Sequence, residues 1–154
     1  MGLSAWLVIG LLGIASALSC AVSSDATAPT GISCPDCPLT PIDRVIDGET
    51  LDSAGDTVRL YGVNAPDRGY GCYQEATARL RELAGDRVRL ELGPRTKDSS
   101  GRVLAYVHTE AGDSVDAALV REGLAVPWFW DGQHRDALVT LGREAQEQGV
   151  GCLW

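Results

Sequence analysis

From Arg87 to Leu92 the chain reads Arg-Val-Arg-Leu-Glu-Leu, a strict alternation of charged and apolar side chains. A period of two belongs to a strand with one face in a core and the other toward water. An amphipathic helix is excluded there, because its apolar positions recur every three to four residues. Segments of the same kind flank it in a telling order. Leu39 to Ile46 reads as a strand ending at Asp47-Gly48, a dipeptide favoured in tight hairpin turns. Glu49 to Asp52 follows as a second strand, with a turn at Gly55-Asp56, and Thr57 to Val63 as a third. Beyond the alternating fourth strand, Val103, Ala105 and Val107 face one way from a fifth. Arg102, Leu104, Tyr106 and His108 take the other face.

Three helices complete the pattern. Ala76, Leu80, Leu83 and Ala84 recur at helical spacing, and Gly85 ends the run. A second helix starts with Ser114 as N-cap, packs Val115, Ala118 and Leu119, and stops at Gly123. The third places Leu138, Leu141 and Ala145 on one face and ends near Gly149. Three strands, a helix, two strands and two helices match a β-barrel with helices, an α+β plan. More narrowly, they match a five-stranded closed barrel of the OB type with three α-helices.

The 154 residues suffice for one domain with extra chain at the ends, and 45% hydrophobic content excludes wholesale disorder. The net charge of −8 argues against a nucleic-acid binder that is basic overall and against a polybasic membrane-surface binder. Locally the balance differs. Arg79, Arg81, Arg87, Arg89, Arg95, Lys97 and Arg102 outweigh Glu82, Asp86, Glu91 and Asp98, so that stretch carries +3 and the remainder −11. The stretch reads either as a basic groove on an acidic body or as a solvated face.

No charge occurs before Asp25, and Trp6 to Leu18 is an apolar run shorter than a comfortable membrane span. Residues 1–19 read as a signal peptide. Ala17-Leu18-Ser19-Cys20 is similar to a bacterial-type lipobox, which makes Cys20 a lipidation candidate; an ordinary cleaved signal and an uncleaved anchor are the alternatives. All three expect an extracytoplasmic protein, secreted or membrane-tethered. Any membrane contact is then through the lipid anchor or signal segment alone. Residues 20–40, rich in Ser, Thr, Pro and Asp, read as a tether before a folded domain at 41–154.

Cys34, Cys37, Cys72 and Cys152 form an even set that allows two disulfides in three pairings. Cys34-Pro-Asp-Cys37 reads otherwise as a redox dithiol or half a zinc site, but Pro38 and Pro41 follow where a thioredoxin-type motif needs a helix. The favoured pairing is Cys34 with Cys37 and Cys72 with Cys152.

Three segments hold the polar residues with chemical potential: Val45 to Thr50, Val58 to Asp67 and Thr96 to Tyr106. Each alone reads as a turn or a solvated strand. Together, Asp47-Gly48-Glu49-Thr50, Arg59-Leu60 leading to Val63-Asn64-Ala65-Pro66-Asp67, and Asp98-x-x-Gly101-Arg102-x-Leu104-Ala105-Tyr106 resemble the staphylococcal nuclease (thermonuclease-like) family. Ala118 to Ala125, Glu144-Ala145-Gln146 and the terminal Leu153-Trp154 add to the likeness, which covers about Pro41 to Trp154.

The resemblance implies an OB-type barrel and hydrolysis of phosphodiester bonds in DNA or RNA by a monomer with a divalent cation. That cation is expected to be Ca2+, with Mg2+ or Mn2+ as alternatives. By position, Glu49, Asn64 and the Ala65 backbone carbonyl would hold it, with Asp47 a further candidate ligand. Asp67 would be the general base or orient the water, and Arg59 and Arg102 would grip the phosphate. Lys97, Ser100, Trp128 and Phe129 are candidate substrate contacts, the rings offering stacking surfaces. His108 and His134 match no catalytic position and are expected to be structural or exposed. Glu49 and Asn64 stand where the family favours Asp, and Asp67 where it favours Glu. These exchanges take one charge from the ligand set and shorten the reach toward water, so cation affinity is expected to fall. Two rival readings follow: an impaired OB module that binds nucleic acid or another ligand, and a structural envelope lipoprotein.

Overall fold

The structure, a computed structural model, describes residues 31–154. The expected signal segment, Cys20 and the first part of the expected tether lie outside the described residues. The chain runs β1 (Leu39–Val45), β2 (Thr50–Ser53), β3 (Asp56–Leu60), β4 (Val63–Asn64), α1 (Tyr73–Ala84), β5 (Arg87–Lys97), β6 (Val103–His108), α2 (Val115–Arg121), β7 (Val126–Pro127) and α3 (Arg135–Gln148).

Five strands close a barrel in the order β1-β2-β3-β6-β5, and β4 and β7 form a separate two-stranded ribbon. β3 and β6 are the one parallel pair of the barrel, with Arg59 opposite Leu104. A parallel pair needs a long crossover. Here β4, α1 and β5 supply it, which is why the first helix falls between the third and fourth barrel strands. Leu51, Val58, Leu60, Val88, Ala105 and Val107 fill the interior, joined by Ala76 and Leu80 of α1 and Leu119 of α2.

Local signals end the elements where expected. Ser114 accepts the Ala117 N–H at 3.1 Å as the α2 N-cap. Gly85 and Gly149 close α1 and α3. Gly48 in the β1–β2 turn is a packing requirement: a Cβ there would lie 2.7 Å from the Ala76 Cβ and 2.8 Å from the Ala65 Cβ. Its bare backbone lets α1 press beneath that turn.

Three expectations are modified. Leu92, in phase with Val88, is 56% exposed. β1 covers β5 only as far as Arg89, and the β5–β6 register becomes irregular after Leu92. The period is strand-like throughout, but the last apolar residue runs past the covered wall. In β6 the two faces do not divide into inside and outside, since Leu104 to His108 are all buried. Helices cover the barrel's outer face there. The tether also gives way to structure before residue 40. Ile32 enters the core, Ser33 bridges to Asp113, and the Cys34 N–H donates to the Gly112 carbonyl at 2.9 Å. Disulfides join Cys34 to Cys37 and Cys72 to Cys152.

Candidate active site

The β1–β2 turn, β3 and the β4 segment bring Glu49, Arg59, Asn64 and Ala65 together at one end of the barrel. β3 stops at Leu60 because the next steps are committed elsewhere. The Gly62 N–H donates to the buried Asp116 carboxylate at 2.9 Å, and the Gly62 carbonyl accepts the Trp128 N–H at 2.8 Å. Val63 is buried beneath, which turns Asn64 outward.

Arg59 is the centre of this group. Its Nη1 donates to the carbonyls of Leu60 at 2.7 Å and Val63 at 3.1 Å. Its Nη2 donates to Asn64 Oδ1 at 3.0 Å and faces Glu49 Oε1 at 3.2 Å. The guanidinium also lies 5.9 Å from the centre of the Trp128 ring. The second oxygen of Glu49 accepts the Ala65 N–H at 2.7 Å, while the Glu49 N–H donates to Asp47 Oδ1 at 3.0 Å. Burial pushes the Glu49 carboxyl above its ordinary range. Arg59 and the Ala65 N–H oppose that rise, Asp47 adds to it, and Arg102 is near enough to lower it.

Arg102 is held on the neighbouring loop by a residue to which sequence reasoning gave no role. Asp98 takes the Arg102 Nε at 2.7 Å with one oxygen, and the N–H groups of Ser100 and Arg102 at 2.9 and 3.0 Å with the other. Burial raises the Asp98 carboxyl, but these donors outweigh it and hold it below its usual range. The Asp-x-x-Gly-Arg spacing was the available signal: an Asx-type turn with its arginine at i+4. Lys97 and Ser100 lie exposed on either side of Asp98. Asp67 is exposed in the loop after β4, where its carbonyl accepts the Tyr70 N–H at 3.1 Å.

The aromatic loop divides its labour. Trp128 is half-buried beside Arg59, and its Nε1 donates to Asp131 at 2.7 Å. Asp131 also takes the Arg95 fork, which with Trp128 draws its carboxyl down to about 2. Phe129 and Trp130 are the open rings, 57% and 70% exposed, with centroids 4.7 Å apart. Sequence reasoning singled out Phe129 as a substrate contact and not Trp130.

The basic stretch does not become one groove. Arg79 is tied to Glu122 and Glu82 between α1 and α2. Arg87 pairs with Glu110 and Arg89 donates to the Glu110 carbonyl, both at the start of β5. Arg95 and Lys97 lie toward its far end, about 20 to 33 Å of strand away. His108 is fully buried and His134 half-buried; both face Glu91.

The donors around Arg59 are all oxygens, as a hard cation requires. Among the described residues, no group of three or more His, Cys, Asp and Glu is arranged to hold a metal ion. The oxygens gathered at Arg59 and the β1–β2 turn belong to Glu49, Asp47 and the Asn64 amide. Two of these, Glu49 Oε1 and Asn64 Oδ1, already converge on one positively charged nitrogen. That convergence is the observation that fits them to a cation.

A sequence profile described as staphylococcal nuclease homologue matches residues 57–154. Over 127 residues the chain is 34% identical to a thermonuclease of Staphylococcus intermedius, covering 73% of this chain and 74% of that protein. It is 33% identical over 118 residues to a thermonuclease of Staphylococcus hyicus, covering 68% and 69%. It is also 30% identical over 131 residues to endonuclease YhcR of Bacillus subtilis (strain 168), covering 69% of this chain but only 11% of that protein.

Proposed function

The chain belongs to the staphylococcal nuclease family, and on that premise we infer that it is a nuclease, a phosphodiester hydrolase acting on DNA or RNA with a divalent cation. The observation that carries this reading is the meeting of Arg59, Glu49 and Asn64, with Arg102 close enough to act on Glu49. Such a group puts a guanidinium and hard oxygen donors around one place, with the charge of Arg102 felt at Glu49.

Glu49, Asn64, the Ala65 carbonyl and Asp47 would hold the cation, Ca2+ foremost with Mg2+ or Mn2+ as alternatives. When bound, it supplies positive charge to a phosphate oxygen. Asp98 fixes the Nε edge of Arg102, which leaves the other N–H groups to meet the charge growing on the phosphate. Asp67, exposed to solvent, accepts a proton from the attacking water or orients it. Phe129 and Trp130 offer open rings to unpaired bases, while Lys97 and Ser100 border the Arg102 turn. Export is part of the proposal, supported by the apolar run before Cys20 and by two disulfides. No helix among the described residues is long and apolar enough to cross a membrane.

A binding module is the second reading, favoured because the terminal donors of Arg59 are engaged within the protein. One assay separates the two: hydrolysis of single-stranded DNA by the full chain with Ca2+, Mg2+, Mn2+ or chelator. Cation-dependent cleavage abolished by Arg102→Ala is the expected result. Salt-sensitive binding without cleavage under any metal would leave the binding module instead.

A further inference from the structure

Each terminal nitrogen of an arginine carries two N–H donors. In Arg59 three hydrogen bonds run to protein oxygens, the carbonyls of Leu60 and Val63 and Asn64 Oδ1, and the nitrogen that meets Asn64 also forms an ion pair with Glu49 Oε1, the fourth oxygen, at 3.2 Å. The side chain is only 11% exposed, so water does not readily replace these partners. Two of the four oxygens are those that the proposed function gives to the divalent cation. A guanidinium and a metal ion cannot share the same lone pairs, and their charges repel.

We infer that Arg59 is the resident counter-ion of the cation site, and that a divalent cation enters only as Arg59 leaves Glu49 and Asn64. The inference rests on the cation site of the nuclease reading, but not on catalysis. The Arg59 crosslink makes the cation-ready arrangement a minor state of the free protein. Apparent affinity then falls by the fraction of molecules in that state. Asn64 suits this exchange, because a neutral amide oxygen accepts from a guanidinium yet competes for a cation less strongly than a carboxylate. The ring of Trp128 reports on the departure, since the guanidinium lies 5.9 Å from its centre.

The test is Ca2+ binding to the full chain without nucleic acid, followed by calorimetry and by tryptophan fluorescence. Arg59→Met keeps the side-chain bulk without charge or donors. It should bind Ca2+ roughly 10- to 100-fold more tightly than the parent, the gain expected if the ready state is about 1–10% populated. The parent should show a Ca2+-dependent fluorescence change that Trp128→Phe removes and Arg59→Met lacks. Arg59→Gln, a second variant in case the first does not fold, carries no charge to hold Glu49 Oε1 and should also bind more tightly. Affinity equal to or weaker than the parent's in the folded variants would overturn the inference. So would absence of Ca2+ binding in all three proteins at millimolar metal. A parent that binds Ca2+ with the expected Arg59 dependence, yet cuts no nucleic acid, would refute the nuclease reading alone.

Discussion

His108 lies fully buried with its Nε2 3.0 Å from a carboxylate oxygen of Glu91. Gln133 and His134 face the same carboxylate. Burial depresses the His108 pKa below its ordinary 6.5, and Glu91 only partly offsets it. The folded protein therefore holds this imidazole neutral, whereas the unfolded chain takes up a proton near pH 6.5. Stability from this source is complete above that pH and is lost as pH falls below it. Glu91 acts in the same direction. Burial raises its carboxyl but its hydrogen-bond donors prevail, so its folded pKa is below 4.5 and its contribution fades as pH drops through that region. Asp116, pushed up to about 6 by burial, works oppositely, favouring the folded state as it protonates. Comparing a variant with the parent isolates His108. His108→Gln, which cannot titrate, should flatten the fall in melting temperature between pH 7 and 5; an unchanged slope would refute the assignment.

Arg102 and Asp98 should separate a group that meets the phosphate from one that positions it. Arg102→Ala is expected to lower kcat/KM on single-stranded DNA by roughly 100- to 1000-fold, the loss typical of one transition-state donor. Asp98→Asn keeps an acceptor but removes the charge pairing with Nε. A loss of about 10-fold is expected, in kcat more than in KM. Equal losses in both variants would mean that Asp98 acts on more than the orientation of Arg102.

The Cys72–Cys152 bridge spans 80 residues of sequence and pins the start of α1 to the C-terminal tail. Closing so long a loop in the unfolded chain is worth about 4 kcal/mol in the chain-entropy account. The three-residue separation of Cys34 and Cys37 is worth about a third of that. Urea unfolding of Cys72→Ser/Cys152→Ser should therefore show the larger destabilisation, with Cys34→Ser/Cys37→Ser losing distinctly less.

Ala54 occupies the β2–β3 turn with φ of 52°, next to Gly55 at 85°. A two-residue turn with positive φ at both positions favours Asn-Gly, because Asn tolerates the left-handed region better than Ala. Ala54 is exposed and sits at the opposite end of the β2–β3 hairpin from Glu49 and Arg59. Ala54→Asn should stabilise the fold by up to about 1 kcal/mol and leave hydrolysis unchanged, measured by thermal melting and the DNA assay.

Much of the fold was legible from short-range pattern. The period of two in β5, the Ser114 cap, Gly85 and Gly149 at helix ends, and the Asp-Gly turn all act over a few residues. The same pattern was silent about where coverage ends, and so could not foresee that Leu92 would emerge from the wall. Nor could it foresee that Ile32, alone in a polar segment, would enter the core.

For the proposed site, the sequence by itself supplied the candidates: Glu49, Arg59, Asn64, Asp67 and Arg102 at spacings that match one family. It also determined the element order that carries them. Only the tertiary structure decided their relations. The basic residues that cluster between Arg79 and Arg102 in the chain scatter to separate acidic partners such as Glu122, Glu110 and Asp131. Arg59, which could have been a solvated strand position, became a crosslink between Glu49 and Asn64. The reason is range. Caps, turns and strand period depend on neighbours within about a helical turn. Burial and charge pairing depend on which distant segments the closed barrel brings into contact, so no local pattern contains them.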